Sequence, residues 1–170
     1  MKRSIALAVL GLLILGINSC ATKGCTDPHA PNYNSSATKD DGSCTDLTAS
    51  IVGSYIGTVQ DSTYGGFTDS AAAQTITITK IDDSHIQVSP TNNSAVVPFT
   101  ASVQAGSNGD LIFIPSQTYQ GLSISGITIV ASNGNASNGA YNSTLRQFAS
   151  AIQINNSGTL SAEVFAGVRQ

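Results

Sequence analysis

The sequence predicts an all-β chain, an antiparallel meander of about eight strands that closes as a barrel or, alternatively, folds as a β-sandwich. Three observations carry this reading. Short runs of β-branched and aromatic residues alternate with Gly, Asn, Asp and Ser clusters throughout residues 50–170, which is how strands and tight turns succeed one another. No long segment repeats apolar residues at i, i+3 and i+4, as an amphipathic helix requires. Charged residues make up only 10% of the chain, and the Ser, Thr, Asn and Gly that replace them are poor helix interiors.

Ile51 to Val59 opens the domain as a strand in which Gly53 and Gly57 predict a bend or close packing. Thr63 to Ala73 reads as a Gly/Ser/Ala-rich loop containing Tyr64-Gly65-Gly66-Phe67. Gln74 to Ile81 alternates cleanly, with Ile76 and Ile78 on one face and Thr75, Thr77 and Thr79 on the other. Asp82-Asp83-Ser84 turns the chain into His85-Ile86-Gln87-Val88, so the two runs predict a hairpin. After a turn over residues 90–94, Val97, Phe99, Ala101 and Val103 mark the next inward face, and Gly106 to Gly109 leads into Leu111 to Ile114.

Gly121 to Ala131 is a β-branched run interrupted by a glycine, and Asn133 to Gly139 carries the Asn-Gly pairs that type I′ turns favour. Ala140 to Ile154 is long enough for one extended or bent strand, with Phe148, Ser150, Ile152 and Ile154 alternating. Asn155 to Gly158 turns into a last strand whose inward face is expected to be Leu160, Ala162, Val164, Ala166 and Val168. Glu163, the only glutamate, then falls on the opposite, solvated face.

The N-terminal twenty residues differ in kind. Met1-Lys2-Arg3 is basic, Ile5 to Ile17 is almost wholly apolar, and Asn18-Ser19-Cys20 closes the run, as in a secretory signal. The apolar run is short of the roughly 20 residues a permanent spanning helix needs. Ile17-Asn18-Ser19-Cys20 resembles the bacterial lipoprotein box. That resemblance implies removal of residues 1–19 as a signal peptide. It also implies acylation of Cys20, with palmitate among the chains, and a membrane anchor joined by a tether over residues 20–24. No acidic cluster follows Cys20, unlike the surface-export signal of Bacteroidota lipoproteins, so the expected site is the outer membrane, at its periplasmic face or the cell surface. The chain from Cys20 onward carries five basic and ten acidic residues, which argues against a nucleic-acid partner, since phosphate binding depends on Lys and Arg.

With Cys20 lipidated, Cys25 and Cys44 remain as an even pair for a disulfide in an oxidising compartment. Gly24 to Cys44 reads GCTDPHAPNYNSSATKDDGSC. It is similar to a module of secreted and surface proteins of Bacteroidota, GCTDPxAxNYxxxAxxDDGSC, which resembles a thrombospondin type 3-like calcium loop, so residues 25–45 are expected to form a small separate unit. Asp27, Asn32, Asn34, Asp40 and Asp41 supply the hard oxygens Ca²⁺ prefers. The same residue types cap turns around a disulfide, and the EF-hand spacing is absent, so both readings stand.

Residues 50–170 resemble the lipocalin-like or calycin-like barrels of Bacteroidota lipoproteins, through the opening Gly53-Ser54-Tyr55-Ile56-Gly57-Thr58, the Thr-Ile-Thr-Ile-Thr-Lys run and the closing Phe165-Ala166-Gly167-Val168-Arg169. Tyr55 stands where lipocalins carry the Trp of Gly-x-Trp. The resemblance implies a non-catalytic envelope protein that binds a small hydrophobic ligand or serves as a structural module. Tyr64 and Phe67 are the candidate ligand contacts, since loops carry much of the binding chemistry of rigid scaffolds. The alternative is a surface adhesin or glycan-binding component. Nothing in the sequence forms a catalytic constellation: His29 and His85 lack metal-ligand spacing, and no G-x-S-x-G, P-loop or H-E-x-x-H motif occurs. Calcium is the only cofactor expected.

Overall fold

The structure, a computed structural model, describes residues 21–63, 67–69, 72–91, 96–106, 109–130 and 136–170. The expected signal segment, Cys20 and Tyr64 lie outside these residues. By its internal contacts the chain divides into one unit of Met1–Pro28 with Tyr33–Cys44 and another of His29–Asn32 with Thr45–Gln170.

Among the described residues there is no helix. The larger unit is a closed eight-stranded antiparallel barrel. Its strands are β1 (Gly53–Thr63), β2 (Gln74–Asp82), β3 (His85–Thr91), β4 (Phe99–Gln104), β5 (Asp110–Phe113), β6 (Gly139–Asn142), β7 (Gln147–Asn156) and β8 (Thr159–Arg169). Each pairs with the next, and β8 returns to pair with β1, so the meander has no break in its ring. The sandwich alternative is not the fold.

Alternation decides what faces inward. Tyr55 and Val59 of β1, Ile76 and Ile78 of β2, Ile86 and Val88 of β3, and Phe99, Ala101 and Val103 of β4 are buried in one continuous core with Ile112, Tyr141, Phe148, Ile152 and Phe165. The β2–β3 hairpin turns at Asp83-Ser84, and the inward faces of β2, β4 and β7 follow the expected alternation.

The departures from the expected pattern have physical causes. Residues 140–154 are not one strand: residues 143–146 turn between β6 and β7, with Arg146 at φ 53°, and Tyr141 pairs with Phe148 across the hairpin. The first strand begins at Gly53, because Ile51 belongs to the segment that caps the lower end of the barrel, and it continues through Thr63, where a loop was expected. On β8 the inward face is reversed. Phe165 stands opposite the fully buried Val59, which puts Glu163 inside, while Leu160 and Val168 are 47% and 44% exposed. Both faces of this strand are mostly small or aliphatic, so its alternation did not specify a side; pairing with β1 does.

Two glycines face each other in the β1–β8 ladder, Gly57 opposite Gly167. A Cβ at Gly57 would overlap Ala166 O and the Gly167 Cα, and one at Gly167 would lie 2.6 Å from Phe165 Cζ and 2.8 Å from Ile56 O. The wall can bend here and take the Phe165 ring only because neither residue has a side chain.

The lower end of the barrel is shut by residues 45–52. Leu47 N donates to Asp83 O (2.9 Å) and the Thr48 hydroxyl to Asp82 O (3.1 Å). Tyr55 Oη donates to Ile51 O (2.5 Å), while Tyr141 Oη (2.7 Å) and Arg169 Nη1 (3.0 Å) both donate to Ser50 O. The Lys80 ammonium joins this end to the β2–β3 turn by bridging Asp46 and Asp83.

Higher in the wall, two side-chain amides stand in for ladder bonds that the backbone does not make. Pro115 has no N–H to give, and Gln117 instead accepts from Thr100 N (2.8 Å) and donates to Thr100 O (2.9 Å). Asn138 Oδ1 accepts from Ile114 N (2.7 Å), and its own backbone ties Ile112 to Ala151. A two-strand flap, Gln117–Tyr119 with Leu122–Gly126, then extends the sheet from the upper half of β7.

Candidate functional site

In the smaller unit Cys25 and Cys44 form the expected disulfide, with their Cα atoms 4.6 Å apart. Lys23–Gly24 pairs in parallel with Lys39–Asp40. Three of the predicted calcium ligands, Asn34, Asp40 and Asp41, accept backbone N–H groups in turns. Asp40 Oδ1 accepts Gly42 N (2.9 Å), Asp41 Oδ1 accepts Ser43 N (3.1 Å), and Asn34 Oδ1 accepts Ser36 N (3.0 Å). These are Asx turns, in which the side chain imitates a backbone carbonyl. Gly42, at φ 76°, supplies the left-handed residue the second turn needs. The Ser43 hydroxyl and N–H hold the exposed Asp41 carboxyl below its usual range. Asn32 groups with the larger unit, where its Oδ1 accepts Thr45 N (2.9 Å). Among the described residues no three His, Cys, Asp or Glu side chains are grouped as a metal would require.

Removing the disulfide with Cys25→Ser and Cys44→Ser is expected to cost this unit about 3 kcal/mol by loop-closure entropy. The readout is limited proteolysis, with new cleavage confined to residues 25–44 and the barrel left intact.

At the lower end of the barrel His85 Nδ1 lies 2.8 and 2.9 Å from the two Asp82 oxygens, and Ser84 Oγ sits 3.1 Å from the same ring nitrogen. Against a burial cost, the Ser84 N–H and the imidazole hold the Asp82 carboxyl below its ordinary value. The serine and the carboxylate share one nitrogen. This network locks the β2–β3 turn and does not set a base against a nucleophile.

The most unusual chemistry is at the upper end. Glu163, expected in solvent, is 3% exposed on the inner wall of β8. Its register partner across the ladder is Asp61 of β1, with Ile152 of β7 on the other side. Its carboxyl oxygens accept one backbone donor, Val97 N, at 3.3 and 3.2 Å. Burial pushes the Glu163 carboxyl up to about 8; the Val97 N–H pulls the other way, and the charge of Asp61 adds a smaller push upward. Burial also raises Asp61. A signal for this placement was present in the sequence, since Glu163 alternates with Phe165, the bulkiest residue of its strand.

Tyr64 lies outside the described residues. Phe67 opens the short strand Phe67–Asp69, which pairs with the upper part of β1, and its side chain is likewise outside them. Four grooves of about 310 to 450 Å³ are lined by described residues, and all are open to solvent. The most apolar runs over Ile56, Thr58, Ala166 and Val168 on the outer wall. Compared with known proteins, the chain matches no protein family, no curated protein and no solved structure.

Proposed function

We propose that the chain is a non-catalytic lipoprotein of the cell envelope, anchored through Cys20, in which the barrel is a rigid structural module and residues 25–45 are a disulfide-tied spacer. The observation that supports the structural role is the barrel's interior. Eight-stranded barrels are just wide enough either to be filled by side chains or to hold one small ligand. Here Tyr55, Phe99, Phe148, Phe165 and a set of isoleucines pack into one core along the bore.

Two measurements test the two parts. Cells fed radiolabelled palmitate are expected to label the chain and to hold it in the membrane fraction, and Cys20→Ala is expected to lose both. Titration of the purified barrel with cis-parinaric acid, a fluorescent fatty acid, is expected to give no saturable signal. Saturable binding of one probe per chain would overturn the structural role and make the barrel a carrier.

A further inference from the structure

We infer that Glu163 and the strap formed by residues 96–98 make a proton-controlled latch across the mouth of the barrel, shut while the Glu163 carboxyl is uncharged and released as it ionises. In the ring of eight strands β4 lies four places from β8 in either direction, so the two face each other across the bore. The strap leads directly into β4, yet its Val97 N–H reaches Glu163 on β8. It therefore crosses the mouth instead of following the rim. Val96, 3% exposed, seats the strap in the core.

The surroundings of Glu163 oppose a charge. From β1 it meets Asp61, the only titratable group acting on it among the described residues. From β7 it meets Ile152, and from the strap Val96, Val97 and Pro98, none of which titrates. An ionised Glu163 would thus have an apolar wall, a single shared N–H and a second acid opposite. A buried charge so poorly compensated is unfavourable, and like charges directly across a ladder repel. With the strap lifted, the same carboxylate meets water.

The sign follows from proton binding. The shut latch holds its proton up to about pH 8, whereas a solvated glutamate releases it near 4.5. The latch is therefore at full strength below pH 4.5, weakens as pH rises towards 8, and levels off above that.

Amide hydrogen exchange of the intact chain, followed by NMR from pH 4 to 9 and corrected for intrinsic rates, tests it. Protection of Val97 is expected to fall at least tenfold between pH 5 and 8 and then stay level, while the Ile78 amide in β2 holds constant. Glu163→Gln keeps the size and an acceptor but has no proton to lose, so its Val97 protection is expected to be flat. Asp61→Asn is expected to move the levelling-off to lower pH. Constant Val97 protection in the native chain, the same slope in Glu163→Gln, or loss at Ile78 in step with Val97 would each overturn the latch.

Discussion

Gly57→Ala is expected to destabilise the barrel by about 4 kcal/mol or more, enough to leave it partly unfolded at room temperature. The added methyl has no room, because the atoms it meets are Ala166 O and the Gly167 Cα, which are backbone in the partner strand. Overpacking a side chain can be relieved by a rotamer change; overlap with the opposite strand is relieved only by parting the ladder. That ladder, β1 with β8, is the one that closes the ring. Gly158→Ala provides the contrast. Gly158 has a positive φ, 94°, which Gly57 does not, and nothing lies within 4 Å of its missing Cβ. Its loss is expected to stay near 1 kcal/mol, the cost of an unfavourable φ alone. Urea denaturation followed by circular dichroism measures both. Equal losses in the two variants would show that the ladder yields and that the Gly57–Gly167 contact does not set the closure.

Tyr55→Ala is expected to cost about 4 kcal/mol, in the range for deleting a large buried aromatic. Tyr55 is fully buried, its ring edge-on to Tyr141 at 6.4 Å and tilted against Phe148 at 5.8 Å. Its hydroxyl is held protonated well above the ordinary tyrosine range by burial, and it donates to Ile51 O. Tyr55→Phe keeps the ring and removes only that donor, leaving the Ile51 carbonyl short of a partner at about 1–3 kcal/mol. Comparing the two by the same denaturation curve separates ring packing from attachment of the lower cap. If Tyr55→Phe costs as much as Tyr55→Ala, the cap bond and not the aromatic cluster is what Tyr55 provides.

Much of this barrel is legible in the chain because most of its strands are apolar on one face only. Ile76 and Ile78 among threonines, or Phe99, Ala101 and Val103 among polar residues, leave one orientation open. Where both faces are apolar, alternation is nearly silent: on β8 only the bulk of Phe165 marks the inner face, and its pairing with Val59 settles it. Glu163 was misplaced for the same reason. Its burial is a property of register, and register is fixed by a strand about a hundred residues earlier. Gln117 and Asn138 were also invisible, because nothing in an isolated amide side chain marks it as a substitute for a missing ladder bond. The N-terminal module was readable at the disulfide, whose two cysteines had no other partners. Its Asp and Asn residues read equally as calcium ligands or as turn caps, and Asn34, Asp40 and Asp41 do cap turns.

The carbonyl of Ser50 gathers Tyr141, 91 residues later, and Arg169, 119 residues later. A chain made from its N-terminus therefore delivers the first strand long before the strand that pairs with it and the arginine that seals the floor. Until β8 emerges, β1 has an open edge, as does β7 on the far side of the gap. Such non-local closure is slow to form, and unpaired edges recruit other chains. Assembly of this barrel is thus governed by its last eleven-residue strand, and a molecule clipped ahead of Thr159 would be left as an open, self-associating sheet.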